Sequence, residues 1–122
     1  MKAAVLVLIL MPSLASAQDI TFTRDIAPVV FEACASCHRP DGPGPFSLTN
    51  YDEVRRRATQ IAQVTKARFM PPWKVEPGVG HFVGQRQLTD REIAIIEGWA
   101  KSGAPEGDPR DLPKLPRFTD GW

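Results

Sequence analysis

The chain has 122 residues, with 15 Lys and Arg against 14 Asp and Glu and a formal net charge of +1 at pH 7. That balance leaves no electrostatic footprint for nucleic acid or for an anionic membrane surface. The length allows one domain, and twelve prolines with nine glycines imply long irregular stretches that need something to fold against.

Met1-Lys2 is a small positive start, and Ala3 to Met11 is an apolar run too short to span a bilayer. Ala15-Ser16-Ala17 has the small-residue form of a signal-peptidase site, so residues 1–17 read as a cleaved secretory signal. The mature chain then starts at Gln18 and keeps about 105 residues, marginal for a domain that relies on side chains alone. Export places it in the periplasm or an equivalent compartment, where an ordinary disulfide is also permitted.

The first helix is predicted from about Thr23 or Asp25 to the cysteines at 34 and 37, with Thr23 as N-cap and Pro28 near the first turn. Ile26, Val29, Val30 and Ala33 recur at helical spacing along its buried stripe. Cys34-Ala35-Ser36-Cys37-His38 follows, and Arg39 to Pro45 is a Pro/Gly loop that cannot continue the helix. The second helix is predicted to start at Asn50, with Glu53 at capping-box spacing, and to run unbroken toward Phe69. Tyr51, Val54, Ala58, Ile61, Ala62 and Thr65 share its inner face. Met70-Pro71-Pro72-Trp73 ends it, because a residue before proline is pushed into extended geometry. The third helix has the clearest start: Thr89 and Glu92 form a capping box, Leu88 and Ile93 a hydrophobic staple, and Gly103 is its C′ residue. A Pro-rich tail at 108–122 is expected to extend along the body or to be partly mobile, leaving 18–107 as the functional domain. No repeat and no sheet is expected.

The cysteine segment carries the chemistry. Two thiols one helical turn apart, followed at once by an imidazole, form the attachment sequence of a c-type haem. The two sulfurs reach the vinyl groups on one edge of the porphyrin, and His38 is held under the iron as a neutral nitrogen ligand. A structural zinc site would need Cys34, Cys37, His38 and His81, and the adjacency of Cys37 and His38 strains a tetrahedron. A thioredoxin-like pair needs a βαβ setting that is absent and leaves the histidine unexplained. The covalent haem is the reading that uses all three residues.

For the sixth iron position the mature chain offers one methionine, Met70, and one further histidine, His81. Met70 is preferred: a thioether suits ferrous iron, and Pro71-Pro72 restrains the loop that presents it. His81 sits among Gly78, Gly80 and Gly84 and would have to be ordered to bind. His/Met ligation fills both axial sites and raises the reduction potential, which favours electron transfer over catalysis at the metal. The chain is therefore expected to be no enzyme.

With its downstream methionine loop and aromatic-bearing last helix, the chain resembles a small class I cytochrome c. More narrowly, Cys37-His38-Arg39-Pro40, Pro45-Phe46-Ser47-Leu48, Met70-Pro71-Pro72-Trp73 and Gly103-Ala104-Pro105-Glu106-Gly107 resemble a bacterial group of exported monohaem cytochrome domains. The resemblance implies an all-α fold of about three main helices around one covalent haem c. It implies thioethers at Cys34 and Cys37, with His38 as proximal and Met70 as distal iron ligand. Trp99 would pack on the first helix near Ile26 and Val30. A backbone carbonyl, from Pro43 or Pro45, would orient the His38 imidazole. Arg55, Arg56, Arg57 and Trp73 are candidates to meet the propionates, Phe31, Phe46, Phe69 and Phe82 to pack on the haem. Lys66, Arg68 and Lys74 would frame its edge toward an acidic redox partner. The function implied is a carrier of single electrons between redox proteins. The alternatives are a haem subunit of a larger oxidoreductase complex, or a five-coordinate peroxidase-like or gas-binding protein.

Overall fold

The computed structural model describes residues 19–76 and 78–119, so the expected leader at 1–17 lies outside the described residues. Among the described residues every regular element is helical and no strand forms. A π-helical turn, Phe22–Ile26, runs directly into α1 (Ala27–Ala33). After a long loop come α2 (Tyr51–Arg55), α3 (Ala58–Lys66), α4 (Asp90–Lys101) and a short 3-10 turn, Pro109–Asp111. None of these helices is long and apolar enough to cross a membrane.

The first helix starts earlier than the sequence predicts. Thr21, not Thr23, occupies the N-cap, and its own N–H donates to the Asp25 carboxylate at 2.7 Å. Arg24 braces the same carboxylate at 2.9 Å. The next two N–H groups, from Phe22 and Thr23, donate to the carbonyls of Pro105 and Glu106, each at 2.9 Å. Donors left open at any helix start are here satisfied by a segment far downstream. Gly107 makes the approach feasible, since a Cβ there would lie 2.6 Å from Thr21 Cβ and from Thr23 Oγ1.

The predicted second helix is two helices. The Asn50 side chain accepts the Glu53 N–H at 3.1 Å as expected, but the Glu53 carboxylate reaches Thr49 N at 2.8 Å instead of closing the box on Asn50. Burial pushes that carboxyl up, yet the Thr49 N–H and the hydroxyls of Ser47 and Thr49 outweigh it and leave its pKa lowered. The break falls at Arg56-Arg57, where Arg57 leaves helical geometry (φ −115°, ψ 11°) and lays its guanidinium over the Phe46 ring at 4.1 Å. Helix α3 stops at Lys66, short of Phe69. Arg68 turns left-handed (φ 54°), and the N–H groups of Phe69 and Met70 both donate to Val64 O, at 2.9 and 3.1 Å.

Helix α4 keeps its predicted capping box. Glu92 N–H donates to Thr89 Oγ1 at 3.2 Å, and Thr89 N–H donates to the Glu92 carboxylate at 2.7 Å. Gly103 supplies the left-handed C′ residue at φ 91°, and Ala104 N–H closes on Trp99 O at 2.9 Å. Trp99 is wholly buried and Phe22 and Ile26 are 1 % exposed, with the Phe22 and Trp99 rings 6.1 Å apart. Val30 joins the same core, so Trp99 packs on the first helix where expected. Each of these side chains contributes about 1.5–3 kcal/mol by leaving water. The polar ends are also used: Trp99 Nε1 donates to Pro105 O and Tyr51 OH to Ala104 O, both at 2.9 Å. The described part of the tail lies along the body. Its 3-10 turn packs on the π-helical turn, and Arg39 sits over the Phe118 ring at 5.1 Å.

Candidate functional site

The end of α1 does not simply fray. Cys34 and Ala35 N–H both donate to Val30 O at 2.9 Å, and Cys37 and His38 N–H donate to Cys34 O at 3.1 and 2.9 Å. This extra turn sets Cys34, Cys37 and His38 on one wall. The following loop then wraps around the histidine: Gly44 N–H donates to Cys37 O and Leu48 N–H to His38 O, both at 2.9 Å. Gly44 has to be glycine, because a Cβ would lie 2.8 Å from Cys37 O and from His38 Nδ1.

The carbonyl that meets the imidazole belongs to Phe46, 3.1 Å from His38 Nδ1, and not to Pro43 or Pro45. The two loop hydrogen bonds explain the difference, since they draw the chain past both prolines before it reaches the ring. Those prolines line the cavity instead. A carbonyl only accepts, so in the neutral ring Nδ1 carries the proton and Nε2 presents its lone pair. The Phe46 ring also lies 4.6 Å from the imidazole, centroid to centroid.

The wall carrying Cys34, Cys37 and His38 faces a cavity of about 450 Å³, within the range of small-molecule and cofactor sites. Met70 and Pro71 line it from the opposite part of the sequence, and Ile61, Val64 and Leu48 make much of the rest apolar. All four predicted site residues therefore border one space. Both cysteines are free thiols. Burial, with a smaller contribution from Cys37, pushes the Cys34 thiol up to about 11, the reverse of the lowered value that marks a reactive redox pair. Among the described residues no three His, Cys, Asp or Glu side chains are grouped to hold a metal ion, and His81 is exposed outside this cavity wall. The donor set around the cavity is thus one imidazole nitrogen, one thioether and two thiols in apolar surroundings. These groups can offer a nitrogen and a thioether to a metal and two thiols to covalent bonds.

Several secondary expectations fall elsewhere. Arg55 and Arg56 are exposed, Arg57 is taken up by Phe46, and Trp73 packs edge-on against Phe82 at 5.9 Å beside a separate pocket of about 150 Å³. None of these four lines the larger cavity. Phe46 and Phe69 do, Phe69 while 69 % exposed; Phe31 belongs to the core, and Phe82 lies at the surface. Of the three cations around Met70, Lys66 pairs with Glu97 at 2.9 Å and Arg68 pairs with Asp90.

One residue was missed. Arg86 is the sole lysine or arginine lining the cavity among the described residues. Its Nη1 donates to Ser36 Oγ at 3.4 Å and stands 4.0 Å from Cys37 Sγ, while its Nε is buried without a partner. Nothing in Gln85-Arg86-Gln87 marks it, because the contact joins segments fifty residues apart and follows no local period. Set beside known proteins, the chain matches no family model, no curated protein and no solved structure.

Proposed function

We propose that this chain is an exported monohaem c-type cytochrome that carries single electrons between redox proteins. Cys34 and Cys37 would hold haem c through thioethers, and His38 and Met70 would stand on either side of its iron. The observation that carries the reading is the convergence of these four residues on one apolar cavity, with the His38 tautomer set by Phe46 O.

When bound, the haem supplies a one-electron couple. The chain's own residues do the rest. The Phe46 carbonyl holds the imidazole plane and leaves Nε2 facing away from it, as outer partners of metal-bound histidines do. Val64 O anchors the backbone at Phe69 and Met70, so the thioether is delivered from a fixed stem. Ile61, Val64, Leu48 and Pro71 give the cavity an apolar wall, which lowers the local dielectric. The open rim beside Phe69 provides a path for electrons to and from a partner.

The test is intact mass with oxidised and reduced optical spectra of the matured protein, with and without carbon monoxide. One covalent haem per chain is expected, with no carbon monoxide adduct in the wild type. Met70→Ala is expected to lower the reduction potential and to admit carbon monoxide. A mature chain without a prosthetic group would overturn the reading. A variant identical to the wild type in spectrum and potential would remove Met70 from the iron.

A permanent place as a subunit of an oxidoreductase complex is the second reading. It is favoured by the exposed apolar loop of Val79, Phe82 and Val83, of which Val83 is fully exposed. Size-exclusion of the native protein from its source separates a free carrier from a subunit.

A further inference from the structure

Arg86 presents an energetic problem. It is half-buried at the wall between the 450 Å³ cavity and a second pocket of about 340 Å³, no carboxylate pairs with it among the described residues, and its Nε has no acceptor. An unpaired charge withdrawn from water is costly, and the fold gains little visible hydrogen bonding in return. The contacts it does make are specific. Arg86 Nη1 reaches Ser36 Oγ at 3.4 Å and Cys37 Sγ at 4.0 Å, and Ser36 Oγ itself lies 3.9 Å from the same sulfur. Two donors thus converge on Cys37, the attachment point expected at one edge of the cofactor.

We infer that Arg86 is a positioning residue that places a fixed positive charge at the Cys37 edge of the cavity and thereby biases the bound group toward its reduced form. The inference rests on the haem reading above. The couple exchanges one electron with a redox partner, and the oxidised state carries one more positive charge than the reduced state. A nearby cation therefore disfavours the oxidised state. Because the guanidinium is partly withdrawn from solvent, added salt screens it poorly. The same side chain tethers the loop at 84–87 to the turn that carries the cysteines.

The experiment is potentiometry on the matured holoprotein for Arg86→Lys and Arg86→Met, with haem content by mass and thermal melts alongside. Arg86→Met keeps length and apolar packing but removes the charge. It is expected to weaken the preference for the reduced form roughly tenfold, about 59 mV for one electron, at low and at high salt. Arg86→Lys is expected to restore most of that shift. An unchanged potential in Arg86→Met, or an equal fall in both variants, would overturn the inference and leave Arg86 a packing residue. If Arg86→Met does not mature, Arg86→Gln against Arg86→Lys makes the same comparison. A wild-type protein without covalent haem would instead defeat the reading beneath, which keeps the two failures distinct.

Discussion

The two halves of this small protein are built on opposite plans. Around Trp99 the chain is closed: Phe22, Ile26, Val30 and Ile96 are all but inaccessible, and even the indole N–H has an acceptor in Pro105 O. Around Met70 the chain is open, with a 450 Å³ hollow whose apolar lining includes a phenylalanine left 69 % exposed. The first half fills its interior with its own side chains. The second has the backbone hydrogen bonds of an ordered site, at Val64 O and around His38, yet its apolar side chains line a cavity instead of closing on one another.

The contrast can be broken most sharply at Trp99. Trp99→Ala is expected to cost about 3–5 kcal/mol in denaturant unfolding, because it empties a sealed core that cannot easily collapse. A small loss would mean that the closed half is not the foundation of the fold. Gly44→Ala sharpens the other side. Its Cβ would press on Cys37 O and on the imidazole, so the loop must retreat. A cost of about 1–3 kcal/mol is expected, as for other forced overpacking, together with weaker retention of the proposed haem. If retention is unaffected, the Phe46 carbonyl is not what holds His38.

The smallest effect is expected at Glu97, which links the end of α4 to α3. Hydrogen bonds from Lys101 and then Lys66 lower its carboxyl to about 2. A carboxyl depressed by folding contributes stability that is whole above its unfolded value, near 4.5, and fades as the pH falls from there toward about 2. In Glu97→Gln that acid-side slope is expected to flatten, and the difference from wild type to shrink in high salt, since the pair is exposed. Acid titration monitored by circular dichroism checks both.

What was legible in the sequence was local. The Thr89–Glu92 box and the Gly103 C′ residue follow from neighbours within four residues, and they form where predicted. The residues of the site were legible for the same reason, Cys34, Cys37 and His38 falling within five positions and Met70 being the one methionine after position 11. Errors came where distant segments decide. Thr21 displaced Thr23 as N-cap because Pro105 and Glu106 satisfy the turn's donors. Phe46 supplied the carbonyl because two loop hydrogen bonds set how far the chain winds past His38. Arg57 left the helix where its guanidinium meets Phe46, and Arg86 reached the cysteines across fifty residues. Periodicity carries no information about such meetings.

The strap formed by Pro105 and Glu106 has a consequence for the order in which the molecule assembles. Two donors of the domain's opening turn, the N–H groups of Phe22 and Thr23, find their acceptors in one of its final described segments, so that turn is completed only by a contact of long sequence separation. On the haem reading proposed above, closing that strap is also what fixes the helix whose far end carries the two thiols.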